Sequence, residues 1–265
     1  MGAQLENNVL KEYIKTGITG FDNLFSRGIP KGSSVLLAGG TGSGKTNFCL
    51  QILNNQASLG KKCFYISFEE SEERIKQHMQ DFGWDPNKLI NEGNLKIKRF
   101  LTNEIYYDDK KSNTEDIQAM MAKESDPILM ELEPFAFTED VGFKPDFIVI
   151  DTLTAISSSF TGKEQSYRFY IERLFRFFEK INCTTFLIVE TKQIPKIYSP
   201  TGVEEFLADG VVVLYNYRKG NSRDTAIEIL KMRGEKHQKK IVEMKITDLG
   251  VVVYPENEVP EINET

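Results

Sequence analysis

Gly39-Gly40-Thr41-Gly42-Ser43-Gly44-Lys45-Thr46 fills every fixed position of the phosphate-binding pattern G-x-x-x-x-G-K-[ST]. An apolar run, Ser34-Val35-Leu36-Leu37-Ala38, leads in, and Asn47-Phe48-Cys49-Leu50-Gln51-Ile52-Leu53 leads out with helical character. Strand, glycine loop and helix follow one another in the order phosphate binding requires. Glycines let successive backbone N–H groups turn inward around phosphate oxygens, and the N-terminus of the following helix adds positive field. The segment therefore predicts a nucleoside triphosphate site built from Thr41, Gly42, Ser43, Gly44, Lys45, Thr46 and Asn47. In it Lys45 reaches the β- and γ-phosphates and the Thr46 hydroxyl ligates Mg²⁺.

The chain has 265 residues, enough for one large α/β domain with a substantial core. Hydrophobic residues make up 40% and charged residues 27%, which is ordinary for a soluble globular protein, and no apolar run has the length of a membrane span. The N-terminal stretch lacks the basic and apolar regions of a signal peptide, and Glu6 breaks the myristoylation pattern that Met1-Gly2 begins. Cys49, Cys63 and Cys183 are scattered in apolar segments without a C-x-x-C, which reads as three buried thiols in a reducing, cytoplasmic compartment. With only His78 and His237 present, a zinc site is not expected. The net charge of −6 lacks the basic footprint of a non-specific DNA binder.

Outward from the loop the pattern alternates βαβαβ. Strands are expected at 62–68, 95–100, 146–151 and 184–190, with helices at 69–82, where Ile75, Met79 and Phe82 share a face, and at 164–181. The C-terminal third reads as short strands at 210–216, 225–232, 241–247 and 251–254, an antiparallel extension of a parallel sheet. One domain is expected over 1–255, followed by a frayed acidic tail at 256–265. An acidic excursion at 102–145, with a short helix near Gln118–Ala122, reads equally as a surface loop or as a partner-docking insertion.

Asp151 ends the apolar strand Phe147-Ile148-Val149-Ile150 and is expected to hold Mg²⁺, directly or through water. Glu69 and Glu70 close the strand expected at 62–68. They read either as the base that serves an attacking water, with mutual repulsion raising one pKa, or as acidic residues favouring the next helix's dipole. Lys231 and Arg233, on alternate positions of a strand, read by themselves as a solvated face.

These motifs, in order, resemble the RecA-superfamily ATPases of the KaiC-like group, single-domain archaeal members above all. The resemblance opens with T-G-I-T-G-F-D-N-L-F at Thr16–Phe25. It continues through S-F-E-E, D-F-G-W-D at 81–85 and the Asp151 strand, then G-V-E-E-F-L-A-D-G-V-V-V-L at 202–214, E-I-L-K-M-R-G at 228–234 and I-T-D-L-G-V at 246–251. It implies an α/β, RecA-like core of mostly parallel sheet with helices on both faces, and ATP bound between subunits of a homo-oligomeric ring, a hexamer in such proteins. It implies that Glu69 and Glu70 serve the lytic water and that Lys231 and Arg233 reach the γ-phosphate of the neighbour's ATP. Met232 is implied to contact the nucleotide, and His237, Thr247 and Asp248 to contact its ribose or base from that same neighbour. A slow Mg²⁺-dependent ATPase whose nucleotide state controls assembly or a protein partner is the function expected. A non-hydrolysing ATP sensor and a DNA-repair ATPase are the alternatives. The segment Thr191–Ser199 holds Lys192 and Lys196 but no arginine cluster, which counts against DNA-strand exchange. The clock protein carries two copies of the domain and this sequence one, so neither autokinase activity nor clock output is expected.

Overall fold

The computed structural model describes residues 11–100, 142–259 and 262. The acidic excursion up to residue 141, with its short expected helix, lies outside the described residues. A short hairpin, β1 (Tyr13–Ile14) with β2 (Ile29–Pro30), stands apart from the main sheet and encloses the 3-10 turn Phe21–Leu24. The elements then run β3 (Ser34–Gly39), α1 (Lys45–Ser58), β4 (Cys63–Ser67), α2 (Glu72–Asp81), α3 (Pro86–Asn91) and β5 (Leu95–Arg99). After the excursion come β6 (Phe147–Asp151), α4 (Leu153–Ser158), α5 (Glu164–Ile181) and β7 (Thr184–Glu190). The chain finishes with α6 (Val203–Leu207), β8 (Gly210–Lys219), β9 (Ser222–Met232), β10 (Val242–Thr247) and β11 (Gly250–Glu258).

Nine strands form one sheet in the order β11-β10-β9-β8-β3-β7-β6-β4-β5. From β8 to β5 every pairing is parallel, and from β8 to β11 every pairing is antiparallel. This is the expected α/β, RecA-like core with its antiparallel extension. The inner parallel strands β3, β4, β6 and β7 are largely apolar because both faces are covered, whereas the edge strand β5 alternates apolar with basic residues, and the period of two divides their side chains between two cores. Val35 and Leu37 pack with Phe48 and Ile52 of α1, Ile75 and Met79 of α2, and Leu89 of α3. Leu36, Ile148 and Ile150 face the other way, onto Leu153 of α4 and Ile171, Leu174 and Phe178 of α5.

Several boundaries differ from expectation: β8 runs on to Lys219 and β9 starts at Ser222, and α2 and β11 differ as follows. Helix α2 begins at Glu72, not Glu69, because the Ser71 hydroxyl accepts from the Arg74 N–H and caps it there. Phe82 ends that helix half-buried and stacks on Trp84 at 5.0 Å, so it does not join the Ile75–Met79 face. At the C-terminus β11 continues through Glu258, beyond the point where the tail was expected to fray. Its extra residues are held by the Val259 N–H donating to Ile241 O at 2.9 Å and by Lys240 with Glu258 at 2.7 Å.

Candidate functional site

The phosphate loop leaves the C-terminal end of β3, the central strand. It turns through positive φ at Gly42 (74°) and Gly44 (92°), where a side chain would be strained. Close approach adds to this: a Cβ on Gly40 would stand 2.5 Å from Gln193 Oε1. The Thr41 carbonyl at the loop tip is held from two sides, by Gln193 Nε2 of the loop after β7 at 3.0 Å and by Asn216 Nδ2 of β8 at 3.4 Å. Helix α1 begins at Lys45 without a side-chain cap, so the amides of its first turn remain open to an anion.

Lys45 is buried, yet its ammonium group donates to two backbone carbonyls, Gly39 O at 2.9 Å and Gly40 O at 3.0 Å, and forms no ion pair among the described residues. Burial lowers its pKa, against the opposing pull of Glu190, Asp151 and Glu69. A buried cation without a counter-ion, uncapped amides and the unpartnered, buried Ser43 hydroxyl together form a cradle that suits a phosphate chain.

Asp151, at the end of β6, lies level with the loop. Its Oδ2 accepts from Thr46 Oγ1 at 3.0 Å and from the Tyr65 hydroxyl. Burial raises its pKa, while the Tyr65 and Thr46 hydrogen bonds and the Lys45 charge hold it down. Among the described residues no cluster of three His, Cys, Asp or Glu side chains could hold a metal by itself. One carboxylate beside one hydroxyl is instead the sparse oxygen set that Mg²⁺ uses when substrate phosphates and water complete its shell.

The adjacent glutamates go separate ways. Both backbone N–H groups donate to Ser67 Oγ. Glu69 turns toward Asp151 and accepts from Thr152 Oγ1 at 3.3 Å. Partial burial, then the charges of Asp151 and Glu190, raise its pKa, with Thr152 and Lys45 opposing. Glu70 turns toward α2, 3.4 Å from His78 Nδ1 and 3.8 Å from Arg74 Nε. The raised pKa thus has a different origin from mutual repulsion of the pair.

Lys231 and Arg233 stand at the opposite edge of the sheet. Gly39, at the loop, is level with Leu214, whereas Met232 is paired with Gly210 and Gly210 with Val35. Four residues of strand separate those levels, about 13 Å. There the two cations bind the C-terminal carbonyls of α6. Lys231 Nζ donates to Glu205 O and Ala208 O at 2.9 and 2.6 Å, and Arg233 donates to Leu207 O and Phe206 O at 3.2 and 2.5 Å. Arg233 also lies 3.6 Å from Asp209 and lines a cavity of about 570 Å³ with Lys31 and Arg176. Met232 points into the core, with its methyl 2.6 Å from where a Gly210 Cβ would stand, and leaves only its backbone outward. His237 bridges to Phe25, and its Nδ1 is 3.0 Å from Gln238 O. Thr247 and Asp248 lie elsewhere, in the β10–β11 turn on the loop's own edge. The preceding residue, Ile246, brings its Cδ1 within 2.7 Å of a Cβ built on Gly44.

Sequence reading passed over Tyr65, Gln193 and Asn216. Each is an ordinary strand or loop residue whose place beside the loop follows only from the strand order.

Comparison with known proteins agrees with this arrangement. The ATPase family described as KaiC matches residues 14–258. The circadian clock oscillator protein KaiC of Nostoc is 33% identical over 92% of this chain, and the match covers 44% of the clock protein, so the chain spans less than half of that relative's length. A UPF0273 protein of Thermotoga maritima is 30% identical, with 91% of this chain and 96% of that protein covered. The solved structure of a KaiC-like protein from the hyperthermophilic archaeon Pyrococcus horikoshii superposes with a TM-score of 0.75 at 29% identity, covering 92% of this chain and all of the other. From β1 to β11, this chain belongs to the KaiC ATPase family.

Proposed function

We propose that the protein is a Mg²⁺-dependent ATPase whose site is shared between adjacent subunits of a ring, with nucleotide state governing assembly. One observation carries the reading. Phosphate-holding and base-like groups gather at one edge of the sheet, and the two cations suited to complete the site stand at the other. A chain so divided cannot close its own site. A head-to-tail neighbour can, and repetition of that contact builds a ring.

In this reading the loop amides and Lys45 hold the β- and γ-phosphates. Thr46 and Asp151 hold Mg²⁺, which when bound neutralises phosphate charge and orients the γ-phosphoryl group. Glu69 aligns a water with the γ-phosphorus and accepts its proton, a task that suits a carboxylate whose pKa is raised. Lys231 and Arg233 of the neighbouring subunit leave the α6 carbonyls and meet the charge that builds on the transferring group. The exposed apolar groups fit the same contact: Phe206, 77% exposed, adjoins the cations, and Leu249, 81% exposed, marks the loop edge.

Steady-state hydrolysis and sedimentation, each with ATP, with ADP and with a chelator, test the reading. Mg²⁺-dependent turnover that grows with protein concentration, together with ATP-favoured oligomers, is expected. ATP binding without turnover in the assembled protein would leave a nucleotide sensor instead.

A further inference from the structure

Asp151 is 5% exposed, and among the described residues both hydrogen bonds its carboxylate receives fall on one oxygen, Oδ2. One donor, Thr46, belongs to the phosphate loop. The other, Tyr65, comes from the neighbouring strand β4, two residues before the position level with Asp151, and its side chain is fully buried. It shares its core cluster with Phe48, Cys49, Ile75 and Val149, and a phenylalanine would fill nearly the same volume. The Tyr65 hydroxyl is therefore unnecessary for packing, and Asp151 is its partner.

The two donors are not equivalent. In the function proposed above, the Thr46 oxygen is itself a ligand of the cation, so its bond to Asp151 depends on how the site is filled. Tyr65 lies behind the carboxylate, in the core, and keeps its place whatever the loop does. Unheld, a carboxylate turns about its terminal bond, which is a broad, soft torsion. Held at Oδ2, it offers Oδ1 in a fixed direction.

We propose that Tyr65 is a positioning residue for the cation-holding carboxylate, fixing the orientation of Asp151 by its hydrogen bond to Oδ2. Such outer-shell partners orient a ligand without touching the metal, and their removal costs about 10- to 100-fold in metal affinity. The inference rests on the Mg²⁺ site proposed above, so its test reads metal binding separately from turnover.

Mg²⁺ is titrated by calorimetry into the ADP-loaded full chain as wild type, Tyr65→Phe, Asp151→Ala and the double variant. ADP affinity in chelator and thermal melting are measured alongside. Tyr65→Phe is expected to weaken Mg²⁺ about 10-fold while retaining ADP affinity and a cooperative melt. In the Asp151→Ala background, which leaves Tyr65 no acceptor, the same change is expected to have no further effect, because Tyr65 acts only through that carboxylate. Unchanged Mg²⁺ affinity in Tyr65→Phe, an equal loss in the Asp151→Ala background, or loss of the cooperative melt would each overturn the proposal. A wild type that binds ADP but no Mg²⁺ would overturn the parent reading, a result distinguishable because it appears before any substitution.

Discussion

Glu69 and Glu70 are neighbours in sequence with different side-chain partners in the fold, and the proposed function gives them separate tasks. Glu69 leans on Thr152 and looks toward Asp151, whereas Glu70 looks toward His78 and Arg74. Nothing in the string Ser67-Phe68-Glu69-Glu70 says which way each turns, because the deciding residue, Thr152, arrives just after β6, as the cap of α4. Glu69→Gln is expected to lower kcat about 10²- to 10⁴-fold with ATP affinity nearly intact, and Glu70→Gln to cost much less; steady-state kinetics with a binding control checks this. The pH profile follows from the same geometry. Glu69 works ionised and its pKa is raised, so activity is expected to fall on the acid side at a pH above that of an ordinary glutamate. Asp151 sets the sign for stability. Its raised pKa means the folded state binds the proton more tightly than the unfolded chain, so nucleotide-free protein loses stability as pH rises from the ordinary aspartate range through the raised value. Asp151→Asn, which keeps an acceptor for Tyr65 and Thr46, is accordingly expected to raise the melting temperature of nucleotide-free protein at neutral pH while weakening Mg²⁺ binding.

At the scale of elements, the opening motif Thr16-Gly17-Ile18-Thr19-Gly20-Phe21-Asp22 is a clamp and not part of the chemistry. Asp22 accepts from the N–H groups of Thr16 and Gly17 and from the Thr16 hydroxyl, at 2.8 to 3.0 Å. Asn55 and Gln56 of α1 donate to the Thr16 and Lys15 carbonyls, which ties the motif to the helix that carries Lys45. Gly20 has φ 79°, and a Cβ there would stand 1.9 Å from Val253 O in β11. Gly20→Ala is therefore expected to destabilise by about 2–4 kcal/mol, read by denaturant unfolding, because backbone strain and a backbone clash combine. The parallel strands and α5 were legible because continuous apolar runs and a 3.6-residue period leave little choice. The boundary at Glu72 was left open, since Ser71, a capping residue, competed with Glu69 and Glu70 as the place where the helix begins. The end of β11 was missed because Pro255 and the acidic residues after it read as a terminus, whereas pairing with β10 carries the strand onward.

Taken whole, the molecule is polarised. The phosphate loop, its carboxylates and the β10–β11 turn share one edge, and the two cations, Phe206 and the 570 Å³ cavity share the other. Sequence motifs name both sets but cannot say that about 13 Å of strand keeps them apart within one chain, since that distance comes from the antiparallel return of β9. Phe206→Asp is expected to abolish ATP-favoured assembly and hydrolysis while leaving the melt unchanged, because it charges an apolar contact without disturbing the core; sedimentation with ATP checks it. The shared site itself is tested most directly by mixing two inactive proteins. Glu69→Gln retains its cations but cannot serve the water, and Lys231→Ala/Arg233→Ala retains its glutamate but cannot complete a neighbour's site. In a randomly mixed ring at equal amounts, roughly a quarter of the contacts pair an intact glutamate site with intact cations. The account predicts that hydrolysis recovers to about that fraction of wild type. Activity that stays at the mean of the two inactive proteins, in rings shown to contain both, would contradict it.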